Sequence, residues 1–216
     1  MIQPGNTKLG HVPNFSLPAE TTCPGRTELC VKHCYARKGH FRQFNVRLAH
    51  ANNYDLSLKS YFAKNMIAEI AQLGISVLRM HVGGDFYSAP YIRKWIKIAK
   101  ACPSTTFFAY THSWTVPRLV RALVEFGELP NVQLWWSCDA DTHETNGPPP
   151  DCSDEIRVAY LQVADDEHIP KYADLVFRVN RETVRTRINN VRICPAETGK
   201  LPKAHCAECK LCWANC

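Results

Sequence analysis

Ile75-Ser-Val-Leu-Arg-Met-His-Val-Gly-Gly-Asp85 is the stretch whose reading decides the fold of this chain. Its first eight residues form a short apolar run that ends at a glycine pair, the pattern of a strand buried on both faces. Helical periodicity flanks it on both sides. Residues 55–73 carry Leu58, Phe62, Met66, Ile70 and Leu73 on one stripe, closed by Gly74. Downstream, Ser88 with Pro90 opens a helix bearing Ile92, Trp95, Ile96 and Ala99.

The same alternation runs on through the chain. Residues 106–110 read as a strand, Pro117 opens a helix with Leu119, Val120, Leu123 and Val124, and residues 131–137 read as the next strand. Residues 139–154 hold Gly147-Pro-Pro-Pro150 and are expected to form a long loop. Residues 158–163 and 175–179 are further strands, and the segment from Ile193 onward reads mostly as loop. Strands alternating with helices imply a parallel sheet with right-handed crossovers. The expected fold is α/β, an open or partial (β/α) barrel of parallel strands in one domain spanning residues 1–216, because the chain is too short for eight full βα units.

Polar groups end strand after strand: Gly83-Gly84-Asp85, Thr111-His112, Cys138-Asp139, Asp165-Asp166 and Asn180-Arg181. In barrel-like α/β folds those ends form the rim of the site, so the groups are expected to face one mouth.

The eleven cysteines carry the chemistry. In the C-terminal segment 193–216, Cys206-Ala-Glu-Cys209-Lys-Leu-Cys212-Trp-Ala-Asn-Cys216 has the short gaps that let thiolates converge on an iron–sulfur cluster. In the N-terminal segment 17–41, Cys23, Cys30 and Cys34 form a second set without a local fourth cysteine. Three thiolates leave one iron of a [4Fe–4S] cube open to a ligand. His33, Cys138, Cys194 and Cys216 are the candidates to close it. A zinc site uses the same donors and stays an alternative to one or two [4Fe–4S] clusters.

Composition limits the context more than the reaction. Hydrophobic residues at 45% and charged residues at 21% suit a globular domain. No N-terminal stretch resembles a secretion signal, and no apolar run reaches membrane-span length. The expectation is a reducing, cytoplasmic setting with no membrane partner, where clustered cysteines bind metal in preference to forming disulfides. The net charge of +6 favours anionic partners. Basic residues gather between Arg26 and Arg47 and again between Arg178 and Arg192, including Arg181, Arg185 and Arg187.

A cysteine loop followed by a strand that ends in Gly-Gly-Asp resembles the radical S-adenosylmethionine (SAM) superfamily. That resemblance implies a site-differentiated cluster on Cys23, Cys30 and Cys34, with His33 beside it. It further implies SAM as cofactor, with Gly83, Gly84 and Asp85 contacting its amine, while Tyr110, His112 and Trp114 line the substrate side. The cysteine spacing here, C-x6-C-x3-C, departs from the C-x3-C-x2-C of that superfamily.

A second resemblance covers more of the chain. Leu17-Pro18, Thr22-Cys23-Pro24-Gly25, Cys34-Tyr35-Ala36, Gly84-Asp85-Phe86, Tyr110-Thr111, Cys194-Pro195-Ala196 with Gly199, and Cys209-Lys-Leu-Cys212-Trp213 resemble the gene product 88-like group of phage and plasmid proteins. That pattern adds Cys194 to Cys206, Cys209 and Cys212 as a second ligand set, leaving Cys216 as the spare.

Three functional readings follow: a radical SAM-like enzyme acting on an unknown substrate, an iron–sulfur nucleic-acid-binding protein, and an electron-transfer protein working with a redox donor. Full ligation of both clusters separates the last from the first.

Overall fold

The structure, a computed structural model, describes residues 1–150, 156–179, 187–188, 191–197 and 206–214. Its elements in chain order are β1 (Asn14–Phe15), α1 (Glu28–His33), α2 (Phe44–Leu58), α3 (Phe62–Leu73), β2 (Val77–Met80), α4 (Ala89–Ala101) and β3 (Thr106–Thr111). After these come α5 (Pro117–Gly127), β4 (Val132–Cys138), α6 (Ala140–Asn146), β5 (Arg157–Gln162), β6 (Leu175–Arg178), β7 (Arg187–Ile188), β8 (Val191–Ile193) and α7 (Cys206–Cys209).

The eight strands form one sheet in the order β1-β2-β3-β4-β5-β6-β8-β7, parallel throughout except for β7, which pairs antiparallel with β8. The first six neighbours lie side by side in chain order. With right-handed crossovers, that order places the connecting helices on a single face, as in the wall of a barrel. Among the described residues the sheet does not close, and β1 and β7 are its two edges.

Alternation along each strand divides the core between the two faces. Leu78, Met80, Phe107, Ala109, Leu134, Trp136 and Val176 point to the face covered by α3, α4 and α5, where they meet Phe62, Met66, Trp95, Leu123 and Phe126. The other face presents Phe108 to Val82, Leu9, Val12 and Trp213, and Trp135, Ala159 and Leu175 to Cys194, Leu211 and Cys212. Among the described residues, only the short α7 contributes a helix to that face. The N-terminal segment and the cysteine-bearing C-terminal segment lie on it. Trp135 and Trp136 are consecutive, so they serve opposite faces, and both are buried. His81, directly after β2, is buried among apolar residues, and its Nε2 contacts the Tyr91 hydroxyl at 2.8 Å. Cys102 caps the C-terminus of α4.

Two expectations are corrected here. Residues 55–73 are not one helix: the chain breaks at residues 59–61, between α2 and α3. Lys94 of α4 donates to the carbonyls of Ser57 (2.7 Å) and Lys59 (2.9 Å), satisfying helix-end acceptors that a continuous helix would have used internally. Leu58 is accordingly exposed and takes no part in the stripe. Nor is the expected loop over residues 139–154 simply loop as far as residue 150, residues 151–154 lying outside the described ones. The Asp139 carboxylate caps α6 by accepting from the Thr142 N–H (2.9 Å), and the Thr142 hydroxyl accepts from the Asp139 N–H (2.7 Å). Gly147, at φ 70°, then ends the helix before the proline run. The very short β1 and β7 were not foreseen, and α7 turns part of the expected C-terminal loop into helix.

No helix among the described residues is long and apolar enough to cross a membrane.

Candidate functional site

The first thiol set sits on the rim at the C-terminal ends of β2, β3 and β4. Gly83 accepts from the Leu17 N–H (2.8 Å), bringing the approach to the cysteine loop against the end of β2. Gly84 has φ +80°, and a Cβ there would stand 2.5 Å from Leu17 Cβ and 2.6 Å from Thr22 Oγ1. The glycine pair therefore lets the loop pack on the strand end. Gly84→Ala is expected to cost about 2–4 kcal/mol, since it adds positive-φ strain to a steric clash. Urea unfolding measures this, and wild-type stability would show that the loop does not pack there.

Gly25 brings the loop equally close to β3, because a Cβ on it would lie 2.1 Å from the His112 carbonyl oxygen. The end of β4 holds α1. Thr27, the N-cap of α1, accepts from the Cys30 N–H (2.9 Å) and donates its hydroxyl to Asp139 (2.6 Å). Asp141 accepts from the Leu29 N–H (2.9 Å). The two carboxylates of the α6 N-terminus thus bind the segment that carries Cys30 and Cys34.

Burial pushes the Cys23 thiol up, with Asp85 adding to the effect. Burial likewise pushes Cys30 up to about 12, helped by Cys34 and then Asp139, and raises Cys34. Three thiols are thus neighbours on the rim, with the buried carboxylates of Asp85 and Asp139 near enough to act on them.

Asp85 itself is buried and fully engaged. Its carboxylate accepts from Phe86 N–H (2.7 Å), Thr111 hydroxyl (2.6 Å) and His112 N–H (2.9 Å), tying the end of β2 to the end of β3. Burial raises its pKa, and these donors oppose the rise. The geometry makes Asp85 a positioning group for the rim.

The second thiol set lies on the sheet face that the helices leave uncovered. Cys194, Cys206, Cys209 and Cys212 line one hollow together with Leu211 and Trp213. Backbone bonds fix the segment: Cys194 N–H donates to Val176 (2.9 Å), Cys206 N–H to Lys8 (2.8 Å) and Trp135 Nε1 to the Cys212 carbonyl (3.0 Å). Trp213 packs on Phe108 with ring centroids 4.7 Å apart. Burial pushes Cys212 up to about 11 and raises Cys206, while Arg79 pulls both down and Lys8 pulls Cys206 down.

Arg79 is the residue that sequence reasoning missed. It lies on β2 with 8% exposure, its guanidinium 4.4 Å from the Tyr110 ring centroid and 5.1 Å from that of Phe108. Its Nη1 has no hydrogen-bond partner among the described residues. The signal was present: one arginine in an otherwise apolar strand is an anomaly that calls for a partner.

The structure places the remaining expected residues as follows. Tyr110 belongs to the second set and not to the rim, since its buried hydroxyl abuts Cys212. Trp114 is buried and donates Nε1–H to the Ser137 carbonyl (2.8 Å), so it does not line a substrate side. His112 stays at the rim, its buried Nδ1 without a hydrogen-bond partner among the described residues. Of the candidates to close the rim set, Cys194 lies with the second set and Cys138 belongs to the core on the helix side. His33 retains a buried Nε2 without a hydrogen-bond partner among the described residues. Cys216, Asn180, Arg181, Arg185 and Gly199 lie outside the described residues. Arg178 is buried, bonded to Gln162 (2.9 Å) and ion-paired with Asp165, so it presents no charge to a phosphate. No three His, Cys, Asp or Glu side chains among the described residues are grouped so as to hold a single metal ion.

Compared with known families, the chain matches the one described as "Gene product 88" over residues 2–215. The "Gene 88 protein" of Mycobacterium phage L5 and that of Mycobacterium phage D29 are each 27% identical to it over 150 residues, covering 63% of this chain and 61% of theirs. The chain therefore spans less than two thirds of the length of these relatives. No solved structure matches it.

Proposed function

The chain belongs to the gene product 88 family, and we propose that it is an iron–sulfur protein with two cluster positions of unlike character. Cys23, Cys30 and Cys34 would hold a [4Fe–4S] cluster at the rim with one iron open to a ligand, as in a radical SAM-like enzyme. Cys194, Cys206, Cys209 and Cys212 would hold a second, fully ligated cluster on the sheet face. When bound, a cluster with an open iron supplies one electron to the molecule held there, which for SAM means reductive cleavage at the sulfonium.

Arg79 is the observation that carries this reading. A buried guanidinium with a nitrogen lacking a partner is costly unless an anion compensates it, and Cys206 and Cys212 are the thiols it acts on, beside Tyr110 and His81. Four thiolates around a cluster carry the negative charge that the arginine requires. A zinc centre would carry it too, but zinc needs its donors gathered around one ion. A cluster gives each iron its own thiolate, and the short gaps between Cys206, Cys209 and Cys212 suit that arrangement.

The remaining residues orient and shield. Asp139 and Asp141 hold the cysteine helix, Asp85 fixes the strand ends, and Phe108, Trp135 and Trp213 keep the second position dry.

Arg79→Met keeps most of the side-chain volume and removes the charge. In anaerobically prepared protein it is expected to lower the reduction potential of the face cluster by at least about 60 mV, a tenfold change in the one-electron constant, and to leave the rim cluster unmoved. Paramagnetic resonance during a redox titration measures both. Equal shifts at both positions, or none, would contradict the assignment.

A further inference from the structure

We propose that the exposed surface of residues 26–48 binds single-stranded nucleic acid, independently of any cluster chemistry. Six of these residues are basic (Arg26, Lys32, Arg37, Lys38, Arg42 and Arg47) and only Glu28 is acidic, a local net charge of +5 in a chain whose total is +6. All six basic side chains are exposed. Arg26 and Arg37 are partly engaged in holding the cysteine loop, through the Glu20, Cys23 and Val31 carbonyls and the Glu20 carboxylate. Lys32, Lys38, Arg42 and Arg47 make no ion pair among the described residues.

Aromatic groups stand among these charges in a way that a merely solvated basic face does not require. Phe44 is 81% exposed and Tyr35 56% exposed, the former more than any other large hydrophobic side chain described. In α2 the buried residues His50, Asn53 and Ser57 form one stripe. Phe44, Arg47 and Leu48, at helical spacing i, i+3 and i+4, form the opposite, outward stripe, with Leu48 47% exposed. Arg42 precedes the helix by two residues, and Arg26 and Lys32 border a shallow hollow on α1.

A strand of phosphates with bases free to unstack complements this combination. The cations neutralise the backbone, and flat apolar rings take up bases without regard to sequence. A duplex hides its base faces, whereas a single strand offers a planar base with every phosphate to Phe44 and Tyr35.

The test uses anaerobically purified full chain and fluorescein-labelled oligothymidylate, read by anisotropy at several salt concentrations. Binding should weaken linearly in log–log form with salt. Arg42→Gln combined with Arg47→Gln should reduce the slope by about 1.4, at about 0.7 per phosphate contact. Phe44→Ala should weaken binding about 5-fold or more while leaving the slope unchanged. The proposal is overturned if the oligonucleotide does not bind, or if inorganic polyphosphate competes equally well and Phe44→Ala has no effect. Association with anionic phospholipid vesicles in place of the oligonucleotide overturns it as well.

Discussion

Cys30→Ala is expected to lower iron and acid-labile sulfide from about eight of each per chain to about four, leaving the face cluster in place. Cys30 is one of three rim thiols, and its backbone N–H is held by Thr27, which is itself bound to Asp139. Two remaining thiolates beside Asp85 and Asp139 do not retain a cube. Cys30 is not among the groups that act on the second set: Cys206 responds to Lys8, Arg79 and Cys209, and Cys212 to Tyr110, Cys206, Arg79 and Cys209. SAM added to the reduced wild-type protein is expected to alter the rim signal in paramagnetic resonance and to alter nothing in Cys30→Ala. Loss of all the iron in the variant would mean a single cluster assembled from both ends of the chain.

Asp85→Ala is expected to destabilise the fold by about 3–5 kcal/mol, lowering the melting temperature by about 10 °C. Three donors converge on the buried carboxylate, and alanine leaves each without a partner. The neighbouring ends of β2 and β3 would lose their tie, and with it the floor under Cys23 and Gly25. Thermal unfolding without added ligand measures this. Wild-type stability in Asp85→Ala would free the carboxylate for the ligand-binding role that its Gly-Gly-Asp motif suggests.

The strands were legible because burial on both faces leaves an apolar run that charged or turn residues interrupt. Those beginning near Val77, Thr106, Val132, Arg157 and Leu175 lie within a residue or two of where the pattern placed them. β1 and β7, at two residues each, are too short to carry a period. The break between α2 and α3 was hidden because Lys94, distant in sequence, caps the helix end. The Asp139–Thr142 cap was visible in the sequence, but Gly147 and the three prolines after it dominated the reading. In the sites, the cysteines announced themselves by type and spacing. The division of Tyr110 from His112 was not legible, since two residues apart on a strand share a face, and only the structure shows that β3 ends at Thr111 and the chain turns at His112. Arg79 was overlooked because a strand tolerates one outward charge, and only the fold shows that this face is covered.

Iron, acid-labile sulfide and zinc per chain, measured on protein purified without oxygen, test the central claim most directly. About eight irons with matching sulfide and no zinc is the result predicted for two thiolate-held clusters. Zinc without sulfide would contradict it, and would make both thiol sets structural staples of an α/β sheet.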